Sequence, residues 1–234
     1  MRNNTIDIAR GIAFGCMLVH HVFYFTNMSR PIDMQVNLSR PVEVFGSVAR
    51  HLFILIAGYS IAAQYLNQTE KCQTWKKRLS RCIEVGFHAG LISLVSYACY
   101  PSKWVRFGIL HFMCLASLLA STIMLSVHSE LIALCVIVGL FCAPITGTFL
   151  DVVSGSQCMF STIDWFPLAS WFPLLWLGVL LGRHFPPSKL FKGTNENGTA
   201  MSIFSFVGKN SLTLYTTHFV LFCVLSKYRT LQLP

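Results

Sequence analysis

The chain has 234 residues, of which 54% are hydrophobic and only 12% charged, and its mean hydropathy is +0.58. That composition leaves too little polar surface to coat a soluble globule, so it describes an integral membrane protein with room for about seven helical crossings and no separate soluble domain. The formal charge of +9 does not point to nucleic acid, because the basic residues lie in short loops between apolar runs, where they set topology and meet lipid headgroups.

Seven apolar stretches follow one another at roughly residues 9–26, 44–66, 83–100, 107–127, 130–147, 165–183 and 202–225. They are continuously apolar and do not alternate, which predicts helices and not barrel strands. The expected fold is an all-α polytopic transmembrane bundle forming one domain over residues 1–234. The nine cysteines include no C-x-x-C pair and sit mostly inside apolar segments, so no disulfide framework, zinc site or other metal is expected.

The first stretch opens with Asp7-Ile8-Ala9-Arg10-Gly11, and its internal His20-His21 and lack of a small-residue cleavage site make it a retained helix, not a signal peptide. His21 follows Arg10 by eleven positions, close to three helical turns, so the two share a face. The local alternative is an Asp7–Arg10 pair at the start of a helix, with His20 and His21 as an interfacial anchor. The second stretch carries Arg50-His51 near its start and Gly58-Tyr59-Ser60 further on. Small residues there permit close helix packing, whereas Arg50 either snorkels to headgroups or neutralises an anion or developing oxyanion. Gly108-Ile109-Leu110-His111 places an imidazole where the fourth stretch begins. Asp164-Trp165-Phe166-Pro167 reads as the start of the sixth, with Asp164 as its N-cap or, functionally, as the carboxylate that orients a catalytic histidine. In the last stretch Ser211, Tyr215 and His218 are spaced four and three apart and line one face as a site wall.

Loop charges give an orientation. Lys71, Lys76, Lys77, Arg78 and Arg81 follow the second stretch, and Arg183, Lys189, Lys192 and Lys209 precede the last. With seven crossings both loops share a side with Arg2 and Arg10, while the loop 148–163 opposite them holds no basic residue. The expectation is a cytoplasmic N-terminus. Six polar side chains in or beside apolar runs, His21, Arg50, His51, His111, Asp164 and His218, then fall in the outer half of the membrane. Convergence at one depth predicts a single site, in which only position supports His51.

These strings, in this order, resemble the heparan-alpha-glucosaminide N-acetyltransferase-like family of multi-pass membrane proteins, and the chain looks like a short bacterial member. The matching residues are Asp7-x-x-Arg10-Gly11 with His21, Phe53 to Ser60 with Gly58, Gly108 to His111, Asp164 to Pro167 with Trp171, and Gly208 to Ser211 with Tyr215 and His218. The chain departs from the pattern at Ser170, where proline is usual, and at Phe25, where an acidic residue is expected one turn after His21. The second departure leaves Asp164 as the candidate orienter.

The resemblance implies an acyl-CoA-dependent N- or O-acetyltransferase of the bacterial inner (plasma) membrane. It would move an acetyl (acyl) group from cytoplasmic acyl-CoA, typically acetyl-CoA, to an amine or hydroxyl of a sugar or glycoconjugate on the outer side. His21 is the first choice for the catalytic base or acyl carrier, with His111 and His218 as alternatives, Arg50 as oxyanion stabiliser and Asp164 as support. Arg10, Lys76, Lys77 and Lys209 are candidates for the CoA phosphates, since the chain has no phosphate-binding glycine loop. The implied partners are the bilayer, the acyl-CoA, a carbohydrate acceptor and, as an option, further copies of the chain. The competing classes are a proton-coupled transporter and a non-catalytic membrane subunit.

Overall fold

The computed structural model describes residues 4–30, 39–66, 71–126, 162–186 and 199–232. Among them lie seven helices and no β-strand: α1 (Asn4–Met28), α2 (Arg40–Leu66), α3 (Lys71–Cys99), α4 (Ile109–Ser126), α5 (Leu168–His184), α6 (Thr199–Lys209) and α7 (Ser211–Gln232). α1, α2 and the Trp75–Cys99 part of α3 are long and apolar enough to cross a membrane, and Ile109–Met124 is a shorter apolar helix. The chain thus forms the helical membrane bundle expected from its composition, because hydrocarbon obliges each span to satisfy its own backbone. The fifth apolar stretch, 130–147, lies outside the described residues, as do Lys189 and Lys192.

The chain divides into two compact units. The first comprises Met1–Phe53, Gly90–Trp104 and Gly193–Pro234. Here α1 buries Asp7, Gly11, Phe14, His21 and Phe25, residues whose spacing places them on one helical face. α6 packs antiparallel on the first half of α1 with the two backbones touching: a Cβ at Gly11 would overlap the Phe204 carbonyl, and one at Gly208 the Asp7 carbonyl. α7 then runs in the same direction as α1, with His218 against Phe14 and His21, and Phe219 and Phe222 against Phe25. Further along, the Tyr100 hydroxyl donates to Ser226 Oγ at 2.7 Å, and Ser226 donates to the Phe25 carbonyl at 3.3 Å.

This arrangement corrects the single last span of 202–225. The chain reverses at Asn210, whose side-chain amide donates to the Phe206 carbonyl at 3.0 Å while its own carbonyl accepts the Leu214 N–H at 3.0 Å. One residue thereby ends α6 and starts α7. Hydropathy averages over such a reversal because both flanking segments are apolar.

The second unit comprises Ile54–Ala89 and Val105–Lys192. In it α2 and α5 run parallel and touch through reciprocal glycines, Gly58 on the Leu175 carbonyl and Gly178 on the Leu55 carbonyl. The Tyr59 hydroxyl donates to the Phe185 carbonyl at 2.8 Å, just past the end of α5. The basic segment expected as a loop after α2 is helical from Lys71 onward. Arg78 is buried there, and its Nη2 donates to the carbonyls of Ser60 at 3.3 Å and Ile61 at 3.1 Å. A guanidinium satisfied by helix carbonyls is held by protein as well as by headgroups, which its place in a basic run did not reveal.

Candidate active site

In the first unit the buried face of α1 carries His21 to the inward face of α7. His21 Nδ1 lies 2.8 Å from His218 Nε2, and the rings stack with centroids 5.0 Å apart. His218 Nδ1 lies 2.8 Å from the Leu214 carbonyl, one turn back on its own helix. These contacts fix the hydrogens of the neutral pair. A carbonyl only accepts, so His218 carries its hydrogen on Nδ1 and leaves a lone pair on Nε2. That lone pair accepts the Nδ1–H of His21. The remaining His21 nitrogen, Nε2, therefore keeps a lone pair.

Aromatic rings enclose the pair. Phe25 and Phe219 meet His21 edge-on at centroid distances of 5.9 Å and 5.8 Å, Tyr215 lies 5.9 Å from it, and Phe14 meets His218 at 5.3 Å. The position where an acidic residue was expected, Phe25, thus packs against the imidazole, and the group that orients His21 is His218. Tyr215 and His218 both face His21 from α7, and Ser211 opens that helix one turn before Tyr215. The role of His218 as orienter was the part missed from the sequence. The signal for it was the loss of the carboxylate at Phe25, which leaves His21 in need of another partner.

Arg50 is close enough to act electrostatically on both His20 and His21, and its Nε is buried with no hydrogen-bond partner among the described residues. A buried, unsatisfied guanidinium N–H suits an anionic oxygen. His51 is exposed and donates its Nδ1–H to the Ser47 carbonyl at 2.7 Å, one turn earlier.

In the second unit His111 and Asp164 belong to one corner. The segment before α4 and the segment before α5 are joined by a parallel bridge between Phe107 and Trp165, in which the Phe166 N–H donates to the Phe107 carbonyl at 2.9 Å. Asp164 Oδ2 accepts the Ile109 N–H at 3.1 Å. It therefore caps α4, and α5 has Pro167 at its N-cap with no side-chain cap, which corrects the reading of Asp164 as the cap of the sixth stretch. Sequence proximity favoured the nearer helix, but the bridge carries the carboxylate to the other. Gly108 leaves room there, since a Cβ would come within 2.8 Å of Asp164 Oδ2 and 2.7 Å of Val105 Cγ1 and displace one of these side chains. Replacing Asp164 by alanine is expected to lower the unfolding free energy in detergent by about 1 kcal/mol, measured by thermal denaturation.

The Gly108 N–H donates to His111 Nδ1 at 3.3 Å. The neutral His111 ring consequently carries its hydrogen on Nε2 and presents a donor there, whereas the base role weighed from sequence needs a lone pair at that atom. His111→Gln, which keeps a donor in place of Nε2–H, is expected to retain at least about a tenth of wild-type kcat/KM, and His111→Ala to lose about 10²-fold or more. Equal losses in steady-state assays of the two variants would favour the base role.

The candidate phosphate-binding residues separate by unit. Arg10 pairs with Asp7 at 3.0 Å, the pair read from their spacing, and Lys209 follows the Gly208 that rests on the Asp7 backbone. Lys76 and Lys77 are exposed on the first turns of α3 in the second unit. Among the described residues no group of three or more His, Cys, Asp or Glu side chains is placed to hold a metal.

The family model described as heparan-alpha-glucosaminide N-acetyltransferase, catalytic, matches residues 2–220. No curated protein and no solved structure matches the chain.

Proposed function

Because the chain belongs to the heparan-alpha-glucosaminide N-acetyltransferase catalytic family, a family of membrane acetyltransferases, we propose that it moves an acetyl group from cytoplasmic acyl-CoA to an amine or hydroxyl of a sugar or glycoconjugate on the outer side. The observation that carries this reading is the His21–His218 pair, a buried relay that leaves a lone pair on His21 Nε2. A base so held removes the proton of the attacking group as it meets the thioester carbonyl, a contribution of about 10²–10⁴ in rate. The proton passes from His21 to the departing thiolate, so that the thioester and an amine become an amide and a free thiol. A two-step route, in which His21 Nε2 takes the acyl group first, uses the same lone pair.

Arg50 is the candidate for the carbonyl oxygen as it becomes anionic, since its buried Nε has a hydrogen to give. The candidates for the CoA phosphates are Arg10 and Lys209 in the first unit and, as a separate alternative, Lys76 and Lys77 in the second. The distribution of basic residues supports a cytoplasmic N-terminus in a bacterial inner membrane. The test is the purified protein in nanodiscs with labelled acetyl-CoA and a panel of amino sugars. Transfer of label to a sugar is the expected result. A folded protein that neither transfers acetyl, nor releases CoA, nor binds it would overturn the reading.

A further inference from the structure

We propose that His20, the neighbour of His21, takes the ammonium proton of an amine acceptor, so that the first unit holds a second base dedicated to activating amines. The inference rests on the acyltransferase reading and adds a residue to it.

His20 is seated from three sides. Its Nδ1 lies 3.2 Å from the Val42 carbonyl, its ring stacks on Tyr24 with centroids 6.1 Å apart, and α2 has a glycine where the ring meets it. A Cβ at Gly46 would come within 2.6 Å of His20 Nδ1. A histidine that only anchors a helix at the headgroups needs no such seat, since any exposed rotamer serves. The Val42 carbonyl settles the hydrogen as Leu214 does for His218: Nδ1 carries it, and Nε2 keeps the lone pair. The ring is half-buried and its centroid lies 5.9 Å from that of the buried His21. Among the described residues, the titratable and charged groups facing it are Glu43 and Arg50 from α2, with His21 and Tyr24 from its own helix.

Proton balance gives His20 its task. An aliphatic amine near neutral pH is mostly R–NH3+, which has no lone pair and cannot attack. To become an amide it must lose two protons. The first leaves before attack, and the second leaves the nitrogen as the C–N bond forms and the C–S bond breaks. The second reaches the thiolate through His21, giving R–NH–acyl, free thiol and one H+ from ammonium and thioester. That remaining H+ needs an exit. His218 offers none, because its Nδ1–H is committed to the Leu214 carbonyl, which cannot hand a proton on. His20 Nε2 is a second lone pair beside the pair, on a ring less buried than His21. A hydroxyl acceptor loses only one proton and does not need it.

The test is His20→Asn in the full chain in nanodiscs, with acetyl-CoA as donor. Asparagine keeps an N–H for Val42 and removes the lone pair; His20→Gln serves as a second variant. With glucosamine near neutral pH, kcat/KM is expected to fall about 10²-fold, and the loss is expected to shrink as the pH rises past the amine pKa, until variant and wild type converge. With an aromatic amine already neutral at the assay pH, variant and wild type should agree. A loss of the same size at every pH, or with both amines alike, marks a structural role and overturns the proposal, as does an unchanged glucosamine profile. If the wild type acetylates no acceptor at all, the acyltransferase reading itself falls, which separates the two failures.

Discussion

Replacing His21 by alanine is expected to reduce acetyl transfer by about 10³-fold or more while leaving the helical content and the thermal midpoint in detergent close to wild type. The ring is buried in an aromatic box but contributes no backbone hydrogen bond, so its loss removes chemistry before it removes structure. His218→Ala should lose less, about 10–100-fold, mostly in kcat, because it positions a base and is not the base. His218→Gln separates positioning from packing. Its carboxamide oxygen accepts from His21 Nδ1–H, and part of the lost rate should return. Because the two rings act as one unit, the double alanine variant should be no slower than His21→Ala. A His218→Ala loss as large as that of His21→Ala, with no recovery in His218→Gln, would reassign the base to His218.

Gly58→Val and Gly178→Val are expected to abolish accumulation of folded protein. Helices in lipid gain little from hydrophobic contact with each other and depend on close packing, so the α2–α5 pair is held where carbonyls lie against glycine Cα atoms. A side chain at either position meets backbone, which cannot swing aside as a rotamer can. Overpacking costs typically about 1–3 kcal/mol even where side chains can yield, and here they cannot. Gly15 and Gly90 supply the controls, since a Cβ at either finds nothing within 4 Å. Gly15→Ala and Gly90→Ala should be neutral or stabilising by up to about 1 kcal/mol through helix propensity. Yields and size-exclusion profiles of the four variants decide the matter, and well-folded Gly58→Val protein would refute the contact.

The helical membrane class was legible because composition alone determines it. The local motifs were legible as well, for each is a contact whose spacing is visible: Asp7 with Arg10, Gly58 as a packing notch, and Tyr215 with His218 on one face. What the sequence hid was the pairing between motifs. Gly11 needs Phe204, Gly58 needs Leu175, and Ile109 needs Asp164, and no periodicity within one segment names its partner in another. For the same reason Asp164 was assigned to the wrong helix and the reversal at Asn210 was averaged away. Histidine tautomers were also out of reach, since they follow from carbonyls at Leu214 and Val42 that any residue would supply.

The buried Arg78 bears on how the chain enters the bilayer. Its guanidinium is satisfied by carbonyls of α2, seventeen and eighteen positions earlier in the sequence. A nascent α3 emerging alone would leave that guanidinium to headgroups and water, whereas an α2 still beside it offers two carbonyls. α2 and α3 are therefore expected to partition from the translocon together as a hairpin, with α2 waiting for its successor.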